Sequence, residues 1–280
     1  MNLIHNSNHL NNRTILAFKN YLLVWLAPDM ITFCNYDPAT HEIISLKSFS
    51  CSKEELANID SMLPAVLDLK MNYRKKILVF SGQRFTLVPD IYLQNHDLAE
   101  KYFTINYSKE EKEIILKDHI ETLKLYNVYS INDTLRKLTE QVNFDIKIHS
   151  ISTYLKSIIS TLNFAESHSI FIDIQNSYFT ITLFQYGILQ LCNSFPYKTS
   201  EEILYQITNI SKHFNIDPDN DLYRFSGILY QESPLYELLY KYIRQPEFMV
   251  HPSGLNYHSS LNSIPQHIYY NVFALALCVS

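Results

Sequence analysis

The stretch Ser169–Glu202, SIFIDIQNSYFTITLFQYGILQLCNSFPYKTSEE, decides the fold. Its apolar residues recur at every second position, Ile170, Ile172 and Ile174 and then Phe179, Ile181 and Leu183, which is the period of a half-buried strand. The break at Gln175-Asn176-Ser177 predicts a hairpin turn, Gly187 a second turn, and Ile188–Phe195 a third strand. Thr199 and Glu202 stand at the S/T-x-x-E spacing of a capping box, so a helix is predicted from Glu201 to Phe214.

The same order occurs near the start of the chain. Leu22–Leu26, a turn at Pro28-Asp29, Met30–Tyr36, a turn at Asp37–Thr40 and Ile43–Phe49 read as three strands. Ser52 and Glu55 then cap a helix expected to reach about Leu69. Val24 and Ile172 are 148 residues apart, Phe49 and Phe195 146, and the two capping pairs 147 each. This is an internal duplication of a βββα unit, and it implies two like-built halves.

With 280 residues, 47% of them apolar, the chain is long enough to bury one large core or two of ordinary domain size. A formal net charge of -5 supplies no basic field, so attraction to a nucleic-acid backbone is not expected. Arg74-Lys75-Lys76 is the only run of three cations and reads as the solvated start of a strand. Cys34, Cys51, Cys192 and Cys278 show no C-x-x-C spacing and lie in or beside apolar runs, as buried thiols of a reducing compartment do. The polar start MNLIHNSNHLNNRT lacks the marks of a signal peptide, and no apolar run approaches the ~18 residues that span a bilayer. The expectation is a soluble, cytoplasmic protein.

Glycine is the most informative count. There are four, against the roughly twenty that a usual usage of about 7% would place in a chain of 280 residues. Loops that bring backbone amides against phosphate draw on glycine, and no G-x-x-x-x-G-K-[ST], G-x-G-x-x-G or G-x-S-x-G occurs.

Between the two copies, Lys76–Phe80 and Phe85–Val88 read as strands, Pro89–Lys101 as turn and helix, and Tyr107 onward as a helix-tolerant charged stretch before a strand at Leu123–Val128. Ile131–Val142 and Ile151–Phe164 carry helical spacing, with a strand at Phe144–His149 between them. After the second copy come a turn at Asp217–Asp221, a strand Leu222–Phe225 ending in Ser226-Gly227, a helix Pro234–Tyr242, an irregular Phe248–Tyr257 and an apolar helix Ile268–Val279. The boundary falls near Glu166, giving a first lobe of 1–165 with its bridging elements and a second lobe of 166–280.

Two βββα copies, a helix-strand-helix bridge and a strand ending in Ser226-Gly227 resemble the actin-like superfamily, whose two lobes are both RNase-H-like and of mixed α/β build. The second half is similar to the bacterial cell-division actin homologue and to the pilus-assembly protein of similar build. The chain as a whole resembles a bacterial domain of unknown function through Phe85-Thr86-Leu87-Val88-Pro89, Asn193-Ser194-Phe195 and Leu222–Gly227.

That resemblance implies a D-x-G-x-x-x-[ST] hairpin in each half, with the aspartate holding a hydrated metal and the glycine letting the turn wrap phosphates. Asp173 and Thr180 stand in the aspartate and threonine places, but Gln175 replaces the glycine. In the first half Trp25 replaces the aspartate and Ala27 the glycine. Of the paired glycines expected against adenosine, Gly227 is present and Ile228 replaces its partner. An indole does not ligate magnesium, and a carboxamide on a phosphate turn crowds the backbone.

Asp173, a carboxylate inside an apolar strand, needs a partner, and a hydrogen bond to the turn at Ser177 or to Thr180 is preferred over a ligand role. Asp217–Asp221 begins like a calcium loop but has Leu222 and Ile228 where glycine and glutamate belong, so it reads as a capped turn. His5 and His9 have the spacing of a helical metal pair but sit in a polar tail expected to be disordered, and His251 and His258 lack further ligands. Tyr223, Tyr230, Tyr236, Tyr240, Tyr242, Tyr257, Tyr269 and Tyr270 cluster, and a working surface is sought first between Tyr223 and Tyr257, against the plainer reading of core packing.

The resulting expectation is an actin-like protein without cofactor or metal that does not turn over nucleotide and works by binding another protein or itself. Asp173, Ser177, Thr180 and Gly227 are then vestigial nucleotide contacts. The alternative is a nucleotide-binding ATPase or switch that retains Asp173 in the inter-lobe cleft. A two-metal nuclease is disfavoured because several convergent carboxylates are needed and only Asp173 is placed for it.

Overall fold

The computed structural model describes residues 2–7, 18–52, 55, 71–93, 98–162 and 166–279. The chain begins with β1 (Asn2–Ser7), β2 (Tyr21–Ala27), β3 (Met30–Asp37), β4 (Glu42–Ser50), β5 (Lys75–Phe80) and β6 (Phe85–Pro89). It continues through α1 (Leu98–Asn106), β7 (Ile114–Ile120), β8 (Leu125–Ile131), α2 (Asp133–Gln141), β9 (Ile146–His149) and α3 (Ser150–Ile159). Then come β10 (His168–Ile174), β11 (Tyr178–Gln185), β12 (Ile188–Pro196), α4 (Ser200–His213), β13 (Leu222–Gly227), α5 (Pro234–Tyr240) and β14 (Pro246–Phe248). The last elements are β15 (Asn256–Tyr257) and α6 (Tyr270–Val279).

Two compact units result, and neither is continuous in sequence: 1–157 with 252–264 and 271–280, and 158–251 with 265–270. The contiguous lobes read from the sequence, 1–165 and 166–280, differ from this division mainly in the return of 252–264 and 271–279 to the first unit.

The first unit holds a seven-stranded sheet in the order β1-β4-β3-β2-β5-β9, with β15 added to β4. The second unit holds a five-stranded sheet, β12-β11-β10-β13-β14. The duplication is explicit in these orders. In each unit a three-stranded antiparallel meander is followed by two strands that extend the sheet in parallel from its first strand, β5 and β9 on β2, β13 and β14 on β10. Those first strands are buried on both faces and not the expected one, because side chains pack against each face of the sheet there. Ile170, Ile172 and Ile174 enter the core that α4 closes with Ile203, Ile207 and Ile210. On the opposite face Phe171 meets Phe184 edge to face, and the Arg224 guanidinium lies 5.4 Å from the Phe171 ring.

Both predicted capping pairs cap their helices, the first as a closed box and the second in a shifted form. Glu202 N–H donates to Thr199 Oγ1 at 3.4 Å, while the Glu202 carboxylate reaches one residue further back, to Lys198 N–H at 2.6 Å. Ser52 and Glu55 bond reciprocally at 2.8 and 3.2 Å, and the remainder of the helix expected to reach Leu69 lies outside the described residues.

Two sequence expectations are corrected. The polar start is not frayed over Asn2–Ser7, which is a strand paired antiparallel to β4. Main-chain hydrogen bonding is what an edge strand needs, so an apolar face is dispensable there. The charged stretch after Tyr107 is not helical in its second part, because Ile114–Ile120 is β7, sending Ile115, Lys117 and His119 to one face and Leu116, Asp118 and Ile120 to the other.

Strands β6, β8 and β7 form a third sheet, with α1 packed on it through Ala99 and Phe103 against Val88 and Val128. A polar cluster ties this sheet to the rest of the first unit. Asp118 accepts hydrogen bonds from Tyr129 Oη (2.9 Å), Ser152 Oγ (2.7 Å) and His149 N–H (2.9 Å). Burial raises its pKa, and these three donors act against the rise. His149 stacks on Tyr129 with ring centroids 4.9 Å apart and meets Phe80 edge to face. Its Nδ1 accepts from Ile151 N–H at 3.2 Å, so the ring is neutral in its site.

Candidate functional site

The nucleotide turn expected in the second unit is formed by β10, the Gln175–Ser177 turn and β11. Asp173, near the end of β10, is 7% exposed. Its Oδ1 accepts from Ser226 Oγ at 2.8 Å, and its Oδ2 accepts from Gln175 Nε2 at 2.9 Å. These partners replace the expected ones, Ser177 and Thr180. Residue alternation explains Ser226, which lies directly beside Asp173 in the parallel β10–β13 pairing. Gln175, where the resemblance expects a glycine, folds its side chain inward and is 1% exposed.

Thr180 is buried and bonds Ser194 Oγ on β12 at 2.7 Å, whereas Ser177 is exposed at the turn and accepts through its carbonyl from Tyr197 N–H. Tyr197 Oη also donates to the Gln175 carbonyl at 2.6 Å, which fixes the turn from the side. Gly227 has φ of +82°, and a Cβ there would lie 2.0 Å from the Ile174 carbonyl oxygen. Close approach of two backbones therefore accounts for this glycine locally, since Ile228 N–H donates to that same carbonyl at 2.6 Å.

In the first unit Trp25 fills the place matching Asp173 and is fully buried. Its Nε1–H donates to Ser81 Oγ at 2.8 Å, just past the end of β5, whereas the residue directly beside Trp25 in the parallel pairing, where the second unit has Ser226, is Val79. Sequence reading did not single out Ser81 and marked Ser226 only as part of a strand end, because both contacts join residues more than 50 positions apart.

Beside this hairpin the first unit contains a pocket of about 450 Å³ that the sequence did not signal. Leu26, Ala27, Phe80, Ile131, Leu135 and Leu138 give it an apolar lining, and Arg84, Glu110 and Glu113 are charged members of its wall. Arg84 bridges Glu110 and Glu113 at 2.5 and 2.9 Å and donates to the Ser108 carbonyl, which orders that wall.

The remaining candidates have structural partners. The Asp217 carboxylate accepts from Asp219 N–H and Asn220 Nδ2, the pattern of a capped turn, and these bonds hold its pKa low. His5 lies in β1, which removes the helical spacing, and His9 lies outside the described residues. His258 Nδ1 lies 3.0 Å from Ser260 Oγ, and His251 bonds Gln266 through its backbone. Among the described residues no three His, Cys, Asp or Glu side chains gather as a metal site. All four cysteines are free, Cys34 and Cys51 buried and the others half-buried, and burial pushes the Cys192 and Cys51 thiols up to about 12.

The tyrosine cluster divides. Tyr223, Tyr269 and Tyr270 are core, while Tyr230, Tyr240 and Tyr242 are exposed, and Tyr236 stacks between Tyr240 and Phe248.

Two meander-plus-parallel sheets with helices, repeated in one chain, define the actin-like fold. A Bacteroides thetaiotaomicron protein with actin-like ATPase fold and unknown function matches over 97% of this chain and all of its own, with TM-score 0.80 and 18% identity. The PilM-PilN type IV pilus biogenesis complex matches over 92% of this chain and 98% of its own with TM-score 0.64 and 10% identity. The ethanolamine utilization protein EutJ from Carboxydothermus hydrogenoformans follows at 0.51 and 9%, over 92% and 89%. Residues 10–245 match a family described as a protein of unknown function, DUF3822, and the chain belongs to that family. A curated relative, Glutamate--tRNA ligase 2 from Thermosipho melanesiensis, is 32% identical over 108 residues, and the match spans 38% of this chain but only 23% of the ligase.

Proposed function

We propose that this chain is a two-lobed actin-like protein that has given up nucleotide turnover and acts in the cytoplasm by binding another protein. One observation carries the reading. Gln175 and Ser226 hold the two carboxylate oxygens of Asp173, the group that an active relative would turn toward a hydrated metal. Buried indole at Trp25 and the isoleucine at 228 support it. No helix among the described residues is long and apolar enough to cross a membrane.

Titration calorimetry with magnesium and ATP tests this. The expected result is no heat of binding at micromolar nucleotide, and binding accompanied by hydrolysis would overturn the proposal. Binding without hydrolysis that is lost in Asp173→Ala would favour the second reading, a nucleotide switch, for which the retained Asp173 and Thr180 speak.

The pocket beside β2 and α2 is our candidate for the partner's apolar anchor, and the PilM-like neighbour, solved together with PilN, supports protein binding by this fold. Affinity capture from the native cell with wild type and Leu135→Glu examines the pocket, since a carboxylate in its lining opposes an apolar side chain. A partner anchored there should fall about tenfold or more in recovery. Equal recovery from a variant with an unchanged melting temperature removes the pocket from the account.

A further inference from the structure

We infer that an open groove of about 650 Å³ at the β7–β8 hairpin end of the small sheet, lined by Lys117, His119 and Lys124, docks an acidic peptide segment of a partner protein. The inference rests on the reading of this chain as a protein binder and adds a second contact surface to it. In the sheet β6-β8-β7, the wall of Arg84, Glu110 and Glu113 stands at one end and this hairpin at the other. Alternation along β7 puts Lys117 and His119 on the same face, where both meet Tyr126 of β8. The His119 ring stacks on Tyr126 with centroids 4.6 Å apart, and Lys117 Nζ lies 4.8 Å from the Tyr126 centroid. The third cation, Lys124, is fixed at the rim because its carbonyl accepts from Asp90 N–H at 2.9 Å.

Two lysines against the carboxylate of Asp90 leave this lining a formal charge of +1 with histidine neutral, on a chain whose net charge is -5. Among the described residues neither lysine forms an ion pair, whereas Arg84 at the other end is held by two glutamates. Lys124 also sits in left-handed backbone, with φ of 52° and ψ of 45°, a conformation that glycine adopts more readily. The turn itself therefore has no need of an ammonium group there.

Charge complementarity and the rim select the occupant. Unpaired ammonium groups recruit anions, and Ile91 and Tyr92, 65% and 56% exposed, add apolar contacts that an inorganic anion would leave unused. A nucleic-acid backbone needs many cations and is repelled by the chain's net charge of -5. Anionic lipid is recognised by clusters of about four to eight lysines or arginines, more than this lining holds. A peptide that interleaves carboxylates with apolar side chains meets both the lysines and the rim.

Fluorescence anisotropy on the full chain tests this with a labelled peptide repeating Glu-Glu-Leu over about ten residues. Kd should be about 10 to 300 µM near 50 mM salt and should weaken about tenfold near 300 mM. The same peptide with glutamine for glutamate should bind about tenfold more weakly. The double variant Lys117→Gln with Lys124→Gly should also lose about tenfold without a fall in melting temperature, because both side chains reach solvent and glycine suits the left-handed turn. Leu135→Glu should bind the peptide as wild type does, which separates this groove from the apolar pocket. No binding below about 1 mM, equal binding by the double variant, or a wild type that instead sediments with vesicles of about 30% phosphatidylserine would each overturn the inference. Partner capture that depends on Leu135, with no peptide binding, removes the groove alone, whereas ATP hydrolysis by the chain would sink the function proposed above whatever the peptide does.

Discussion

Gly227→Ala is expected to cost about 3 to 5 kcal/mol of unfolding free energy and to lower the melting temperature by about 10 °C. The added Cβ would lie 2.0 Å from the Ile174 carbonyl oxygen and 2.9 Å from that residue's backbone nitrogen, and neither is the end of a flexible side chain. The left-handed φ of +82° adds its own penalty for any residue with a Cβ. To relieve the clash, the end of β13 must draw away from β10. That movement weakens the Ile228–Ile174 and Gly227–His267 backbone bonds and the Ser226–Asp173 contact together. Gly82→Ala is the control, because a Cβ there would meet only His149 Nε2 at 3.6 Å, an ordinary contact, with no left-handed backbone. Equal melting temperatures for the two variants would show that the strand ends are looser than the geometry indicates.

The second large effect is a loss of stability in acid that originates at His149. Burial holds this imidazole well below its ordinary 6.5, down to about 3, while a hydrogen bond with the Gly82 backbone partly opposes the shift. A depressed histidine pKa means that the unfolded chain takes up a proton first as pH falls. The contribution is therefore intact above pH 6.5 and is lost progressively between 6.5 and about 3. The slope is about 1.4 kcal/mol per pH unit, and the loss sums to about 4 to 5 kcal/mol across the window. His251, held down to about 4 by partial burial, adds a smaller loss of the same sign. Asp118 acts in the opposite sense. Its raised pKa makes the folded chain bind a proton before the unfolded one, which returns some stability as pH falls. Urea unfolding at pH 6.5, 5.5 and 4.5 should show a steep decline for wild type and one shallower by about one proton for His149→Gln. Parallel declines would place the acid sensitivity elsewhere.

The features legible in the sequence were those whose cause is local. Alternation in Ile170–Ile174 and Phe179–Leu183 and the paired capping residues at Ser52 and Thr199 follow from the period of a strand and from the orphan amides of a helix start, so the duplication could be read directly, and the actin-like fold came from the family that this duplication resembles. β7 was hidden because Lys117, Asp118 and His119 are polar in sequence, although Asp118 turns inward to three donors from other elements. β1 was hidden because its support comes from the main chain of β4. The partners of Asp173 were half visible. Gln175 could be flagged as standing where a glycine was expected, two residues from the carboxylate its amide bonds, but Ser226 on the other oxygen depends on register across the β10–β13 pairing.

The arrangement around β4 also bears on synthesis. Its outer edge is closed by residues 2–7 and by residues 256–257, and α6 returns to the same unit after the second unit's strands have been made. On the ribosome, the 158–251 stretch can assemble while the sheet begun earlier still lacks its last clasp. The unit whose strands are translated first is thus completed only after the other unit's strands, and its open β4 edge waits for residues 256–257 to be made.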